Sequence, residues 1–406
     1  MVGLDTTIHA FHRPMITVDD ARTRILAAML PTGPETVSLA DAYGRVVAAP
    51  ILARLTQPPA DVSAMDGFAL RASDGAAGTV LRLIGTAPAG HPFAGHVGAG
   101  EAVRVFTGSV IPEGADTVMI QEDAAWSDDT VTVQETCKPD RHIRRAGQDF
   151  ATGEVLREAG QRLSARDIGL AAAANHPWVS VHRRPRVAIL ATGDEISLPG
   201  EPIPPGGIVS SNAHALAAFV TESGGEPLIL PIAGDSLEAI AAGADAARGA
   251  DLLLTTGGAS VGEHDLVQAG LAARGLRIDF WKIAMRPGKP LMFGALGATP
   301  MLGLPGNPVS AFVCALLFLR PAIERLSGLL GAAPKLEPAK LGTPLGVNDQ
   351  REDYVRAYFD PDGNVTPFSR QDSGMLKTLA RADVLIRRPA FDPARLPGDK
   401  VQIIRL

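Results

Sequence analysis

Cysteine is nearly absent from this 406-residue chain: Cys137 and Cys314 are the only two, far apart in sequence. That excludes a disulfide framework and a cysteine-based zinc site, and it fits reduced thiols in a cytoplasmic protein. Long apolar runs are missing as well. The longest, Val309 to Leu319, is interrupted by Ser310 and closed by Arg320, well short of the about 20 residues a membrane span needs. The opening MVGLDTTIHAFHRP has no basic-then-apolar signal pattern. Positive charge is not in excess: 38 Lys+Arg against 44 Asp+Glu gives a net charge of −6, which removes the electrostatic footprint of a general nucleic-acid binder. Neither a GxxxxGK[ST] phosphate loop nor a GxGxxG dinucleotide fingerprint occurs, so ordinary kinase, ATPase and NAD readings lose support. Nine scattered histidines form no HExxH and no Ser/His/Asp pattern.

What is present is a globular composition, 46% hydrophobic and 20% charged. At about 150 residues per domain the length allows two to four domains. The 43 Gly and 32 Pro show no repeat period and read mostly as turn chemistry where strands meet loops.

Along the chain, Thr17 to Met29 reads as a helix capped by Thr17 with Asp20 three residues on, and Leu39 to Ala53 as a second helix or a helix plus turn. From Gln57 to Phe150 short β-branched runs alternate with Gly/Pro clusters, with strands expected at Val103 to Phe106, Thr117 to Gln121 and Thr130 to Glu135. Ser164 with Asp167 opens another helix to Ala174, which makes the β-rich stretch an insertion between helical parts. From Pro185 to Gly328, continuous apolar strands such as Arg186 to Ala191 and Asp251 to Thr255 alternate with helices, ending in a long apolar helix from Pro308 to Leu326. Strands buried on both faces mean a doubly wound, mostly parallel sheet. After Pro334 the chain turns to β again, with a DPDG turn at Asp360 to Gly363, and a small barrel or sandwich is expected. The expected fold is therefore multidomain α/β plus β: a helical N-terminal part (14–56 and 151–184), an inserted elongated β-rich domain (57–150), an α/β domain (185–331) and a C-terminal β-barrel domain (332–406).

In such an α/β sheet ligands sit outside the carboxyl ends of the strands. Three of those ends carry suggestive turns: Thr192-Gly-Asp-Glu195, the glycine-rich Thr255 to Gly262, and Gly303-Leu-Pro-Gly-Asn-Pro-Val-Ser310. Loops of this kind present backbone N–H groups to anions. Singly, each is better read as a structural turn, Asp235 as a turn or cap residue beside Ser236, and Asp265 as a first-turn acid. Together, Asp194, Glu195, Asp235 and Asp265 beside two glycine loops suit a hard cation such as Mg²⁺, which takes a few carboxylate oxygens and completes its shell with water and substrate phosphate. Lys282, Arg286 and Lys289 supply basic charge around a Pro-Gly turn, a segment that taken alone reads as a solvated hairpin tip.

Seven motifs then occur in order: Ser63-Ala-Met-Asp-Gly-Phe-Ala69, Thr107 to Asp116, Arg144-Arg-Ala-Gly-Gln-Asp149, Thr192 to Glu195, Gly257-Gly-Ala-Ser-Val-Gly262, Arg286-Pro-Gly-Lys-Pro290 and Gly303 to Ser310. Together they closely resemble the MoeA family of molybdopterin molybdenumtransferases, whose animal relative is the E domain of gephyrin, over Pro14 to Leu406. The resemblance implies a molybdenum insertase of molybdenum cofactor biosynthesis. Its substrates are adenylylated molybdopterin and molybdate, its metal is Mg²⁺ and its released product is AMP. It also implies a homodimer with a shared active site, with transient contact with the adenylyltransferase that makes the substrate, and no role for nucleic acid or membrane. Carried over by motif, Glu195 and Asp265 contact Mg²⁺, Asp235 supports the nucleotide end, and Asp66, Thr107 and Asp149 act across the dimer. Substrate binding falls to Gly257, Gly258, Ser260, Lys282, Arg286, Lys289, Pro290, Pro305, Gly306, Asn307, Pro308 and Ser310, with Arg351 and Arg356 from the C-terminal domain. Arg286 departs from the family's more usual Lys, which bears on anion geometry, and Gln371 to Gly374 is a looser match. Two other readings stand beside this one: the preceding adenylylation of molybdopterin by ATP, and a non-catalytic molybdopterin-binding carrier or scaffold. The full set of β-domain motifs argues against the first and the intact carboxylate set against the second.

Overall fold

The computed structural model describes residues 15–257, 264–272 and 274–406, without the side chains of 264 and 265. The chain divides into two compact units. One holds the described residues up to Glu35, Gly44–Ala48 and Val181–Leu406; the other holds Thr36–Tyr43 and Ala49–Ser180.

The larger unit is built around a six-stranded sheet in the order Glu226–Ile229, Arg186–Ala191, Leu252–Thr256, Thr299–Leu304, Met292–Leu296 and Leu276–Trp281. Its first four strands run parallel, Met292–Leu296 joins antiparallel to the fourth, and Leu276–Trp281 is antiparallel to Met292–Leu296 and so runs in the direction of the first four. Because successive side chains alternate across a strand, Val187 and Ile189 face one core while Ala188 and Leu190 face another. The first core is covered by Val18–Ala27, Asn212–Glu222 and the helix from Pro308, the second by Leu237–Ala246 and His264–Ala272. From Arg186–Ala191 the chain steps outward to the edge strand and returns to Leu252–Thr256 on the other side, so a topological switch point opens at the carboxyl ends of these strands.

Local signals account for the helix starts. The Thr17 hydroxyl accepts from Asp20 N, Ser164 and Asp167 form a reciprocal capping box, and Ser236 accepts from Ala239 N. Leu39 to Ala53 is a helix plus turn: the helix covers Leu39–Ala42, because Tyr43 leaves the helical region at ψ 131° and Gly44 follows at φ +74°. One expectation changes. The long helix from Pro308 is α over Pro308–Cys314, widens to a π turn at Ala315–Leu319 and resumes at Arg320–Leu326. Pro321 has no N–H to donate back along the helix, and the wider turn lies just before it.

At the C-terminal end, Glu337–Lys340 pairs with Lys400–Arg405, which pairs with Val384–Arg388, then Glu352–Phe359, then Val365–Pro367. A parallel bridge from Leu341 to Val365 joins the two ends into a small closed sheet around Leu341, Val355, Ala357, Val384, Ile386 and Ile403. Gly363 takes φ +78° and donates to Asp360 O, which makes the DPDG turn.

The smaller unit has its own six-stranded sheet, in the order Thr117–Ile120, Gly67–Leu70, Glu101–Val105, Val80–Ala87, Thr130–Val133 and Ala124–Trp126. Gly67 is obligatory there: a Cβ would collide with the Met119 carbonyl on the neighbouring strand. Leu39–Ala42 and Ala165–Ala173 belong to this unit and pack against each other.

Candidate active site

At the switch point of the parallel sheet lies an open cavity of about 490 Å³. Its floor is the strand ends Ala191 and Thr256 and the turns Gly257 and Pro305-Gly306; its walls include Glu195, Asn212 and Ser310. Gly257 sits at φ +101°, and a Cβ there would run into the Thr192 carbonyl, so the turn after Thr256 needs glycine. Pro308 opens its helix at the first turn, where a missing N–H costs nothing, and Asn307 precedes it at the cap position.

The acids on this edge play different parts. Asp194 Oδ1 accepts from Asp235 N at 3.0 Å and Asp235 Oδ2 accepts from Asp194 N at 3.3 Å, so the two carboxylates lock the turns that carry them. Glu195 is exposed and makes no side-chain hydrogen bond or ion pair among the described residues. Its carboxylate folds over Gly193 at φ +140°, in the space a Cβ would fill. Gly258 and Ser260 lie outside the described residues, as does the side chain of Asp265. Among the described residues, no group of three or more His, Cys, Asp or Glu could hold a metal ion.

Of the sequence-predicted residues, Glu195, Gly257, Pro290, Pro305, Gly306, Asn307, Pro308 and Ser310 line this one cavity. Lys282 holds a left-handed backbone at φ +88°, rare for a side-chain-bearing residue, and its ammonium lies 4.5 Å from the Trp281 ring centroid. Lys289 is exposed, and neither lysine has an ion-pair partner among the described residues.

Arg286 and Arg356 line a separate cavity of about 720 Å³ beside the C-terminal sheet. Arg286 spreads its guanidinium over Asp353 at 2.7 Å, Asp349 at 3.2 Å and Asn348 at 3.3 Å; the Asp353 hydrogen bond holds it firmly protonated. Arg356 is 1% exposed and spends its donors on Gln371 Oε1, Asp372 O and Met375 O. Arg351 reaches Asp349 at 2.9 Å.

In the smaller unit, Asp66 accepts from Thr107 N at 2.7 Å and from Thr107 Oγ1 at 2.9 Å. These donors, with the nearby Arg104 charge, hold its carboxyl below the usual range and keep it ionised. Asp149 is exposed on the loop that returns to Gln57.

Sequence reasoning missed the wall formed by Ile196, Ile208, Val209, Ser210, Ser211 and Asn212. The Ser-Ser-Asn run before a helix was a visible signal, but it reads first as ordinary capping chemistry.

A doubly wound sheet with a glycine-walled cavity at its switch point and a closed C-terminal sheet in one unit, and a second β-rich unit, define a multidomain α/β-plus-β protein with a switch-point ligand cavity. Residues 16–175 match the MoeA N-terminal region (domain I and II), 188–325 the "probable molybdopterin binding domain" and 338–406 the MoeA C-terminal region (domain IV). The molybdopterin molybdenumtransferase of a Nostoc species is 35% identical over 92% of this chain and 88% of its own length. Molybdopterin molybdenumtransferase 2 of Mycobacterium tuberculosis is 34% identical over 94% and 97%. The crystal structure of the molybdopterin biosynthesis protein moeA from Pyrococcus horikoshii superposes with a TM-score of 0.85 at 26% identity, covering 97% of this chain and all of that one. The chain belongs to the MoeA family of molybdopterin molybdenumtransferases. No helix among the described residues is long and apolar enough to cross a membrane.

Proposed function

We propose that this chain inserts molybdenum into molybdopterin during molybdenum cofactor biosynthesis, taking adenylylated molybdopterin and molybdate, breaking the pyrophosphate link and releasing AMP. The observation that carries the reading is the cavity at the carboxyl ends of the parallel strands, where two glycine turns meet the Glu195 carboxylate, unpaired among the described residues. Backbone N–H groups at such turns receive phosphate oxygens, while Lys282 and Lys289, whose charges no described acid neutralises, offset the repulsion between substrate phosphates and an incoming oxyanion.

Glu195 fits a hard cation: it is an oxygen donor on the cavity wall, held over Gly193 and free of competing cations among the described residues. Glu195 with Asp265 would hold Mg²⁺, and the ion would neutralise charge building on the pyrophosphate oxygens. Asp235 keeps the adjoining turn in place through Asp194, on the side assigned to the nucleotide.

A homodimer is part of the proposal, in which Asp66, Thr107 and Asp149 of one subunit serve the active site of the other. The Asp66–Thr107 hydrogen bonds support it by presenting a pre-oriented, ionised carboxylate. Mixing inactive Asp66→Ala and Glu195→Ala proteins restores part of the activity under this arrangement; no recovery after verified subunit exchange removes it.

The primary test is AMP release from adenylylated molybdopterin with Mg²⁺, with and without molybdate, while molybdenum incorporation is followed. Molybdate-dependent AMP release with insertion supports the reading. ATP consumption in place of AMP release returns the protein to the adenylylation step, and tight molybdopterin binding without turnover makes it a carrier.

A further inference from the structure

Asn212 opens the helix Asn212–Glu222 on the wall of the cavity, half-buried, in none of the motifs that drew attention in the sequence. Its Nδ2 lies 2.9 Å from Thr256 Oγ1 and 2.7 Å from the Gly306 carbonyl oxygen. A carbonyl only accepts, so the amide nitrogen must face Gly306, and this fixes the orientation of the whole amide. Both Nδ2 hydrogens are then in use, one on each glycine turn.

The two turns come close through bare backbone: a Cβ built on Gly306 would stand 3.5 Å from Gly257 Cα. Among the described residues, the side-chain hydrogen bonds that tie these turns together both run through Asn212. The tie also decides what the Thr256 hydroxyl does. Thr256 is 1% exposed and lines the cavity. A hydroxyl carries one proton and two lone pairs; with Asn212 donating to a lone pair, the proton remains for another acceptor.

We propose that Asn212 is a positioning residue for the reaction, holding the Thr256 and Gly306 turns at fixed spacing and reserving the Thr256 hydroxyl to donate to an acceptor oxygen of the substrate. This rests on the reading that the substrate enters this cavity. The acceptor is a phosphate or carbonyl oxygen, since the donor carries no charge and sits among backbone groups.

The test is a double-mutant cycle of Asn212→Ala and Thr256→Val, read as KM for adenylylated molybdopterin and as kcat. Loss of one hydrogen bond to substrate raises KM about tenfold. Each single variant shows that rise with kcat within a few-fold, and the double variant shows no more than either single one, because both act through the same hydroxyl. Thr256→Ser, which keeps the hydroxyl, stays close to wild type. Asn212→Asp keeps the side-chain volume but cannot donate; it reproduces the alanine result and serves should Asn212→Ala lose the fold, which thermal unfolding reports. Additive effects, about a hundredfold in the double variant, or a wild-type KM in Asn212→Asp, overturn the proposal. Asn307→Trp separates this from the reading beneath it by filling the cavity with a bulky side chain. If that variant keeps wild-type KM, the cavity is not the substrate site and both fall; if it blocks binding while the cycle is additive, only the role of Asn212 falls.

Discussion

At the carboxyl edge of the parallel sheet, Glu195, Lys282 and Lys289 carry full charges without ion-pair partners among the described residues. Around the C-terminal sheet the opposite holds. Arg387 grips both oxygens of Glu352 at 2.9 Å, Arg388 meets Asp392 at 3.1 Å, Arg405 meets Glu337 at 2.9 Å, and Arg286 divides itself between Asp353 and Asp349. The planar guanidinium suits these forked, fixed contacts, while the compact lysine ammonium suits a ligand that arrives and leaves. The difference separates charge paired within the fold from charge that, in the proposed function, serves a substrate, although Arg286 and Lys289 stand in one motif.

The sharpest way to break this comparison is Glu195→Gln. Removing the charge from a side chain without partners among the described residues leaves thermal stability close to wild type and lowers turnover by at least about 100-fold, the scale of a lost transition-state contact. A parallel unfolding curve and AMP-release assay check it; a destabilised but active variant would move Glu195 to the structural class.

Arg356→Met should do the reverse. It removes the guanidinium bonds to Gln371 Oε1 and to the carbonyls of Asp372 and Met375, which keep only backbone donors, at a cost of about 1 to 3 kcal/mol. Denaturant unfolding reads that loss directly, and an unchanged midpoint would show that the loop from 371 to 375 has other support.

Arg286→Lys sharpens the contrast within the Arg286 to Pro290 motif, which also carries Lys289. One ammonium cannot reach Asp353, Asp349 and Asn348 together, but the side chain is 45% exposed, so about 1 kcal/mol or less is lost. The KM for molybdate stays within a few-fold of wild type. A tenfold change would place the guanidinium on the anion instead of on the C-terminal acids.

The smallest effect concerns acid. Hydrogen bonds from Arg351 lower the Asp349 carboxyl from its ordinary 3.8 to about 2. A depressed value in the folded state stabilises above about pH 4 and is lost as the pH falls towards 2. Asp349→Asn therefore unfolds at a slightly lower temperature than wild type at pH 5, and the gap closes as the pH is lowered to 2. A constant gap would assign the effect to packing.

Much of this was legible in the sequence. The runs RVAILA and DLLLT announce strands covered on both faces, and Thr17, Ser164 and Ser236 announce helix starts, because apolar alternation and capping act within a few residues. Leu39 to Ala53 left a helix and a helix plus turn both open, because its composition suits a helix while the turn at Tyr43 and Gly44 depends on where the following chain is held. Gly67–Leu70 escaped notice as a strand: four residues show no period, and its place between two neighbours is set by close backbone approach at Gly67. For the site, the glycine turns and Glu195 could be named from spacing, whereas Asn212 could not, since its partners lie 44 and 94 residues away.

By itself the sequence determined the family, the alternation of strands and helices, and the turn at Gly257, where a positive φ and the nearby Thr192 carbonyl leave no room for a Cβ. Only the tertiary structure decided which charges are spent and which are kept. Arg286 meets Asp353 across 67 residues and Arg387 meets Glu352 across 35, while Glu195 and Lys289 meet no such partner among the described residues. Local propensity reaches a few residues along the chain, but an ion pair forms wherever folding brings opposite charges within about 4 Å, and that distance exists only once the sheets have packed.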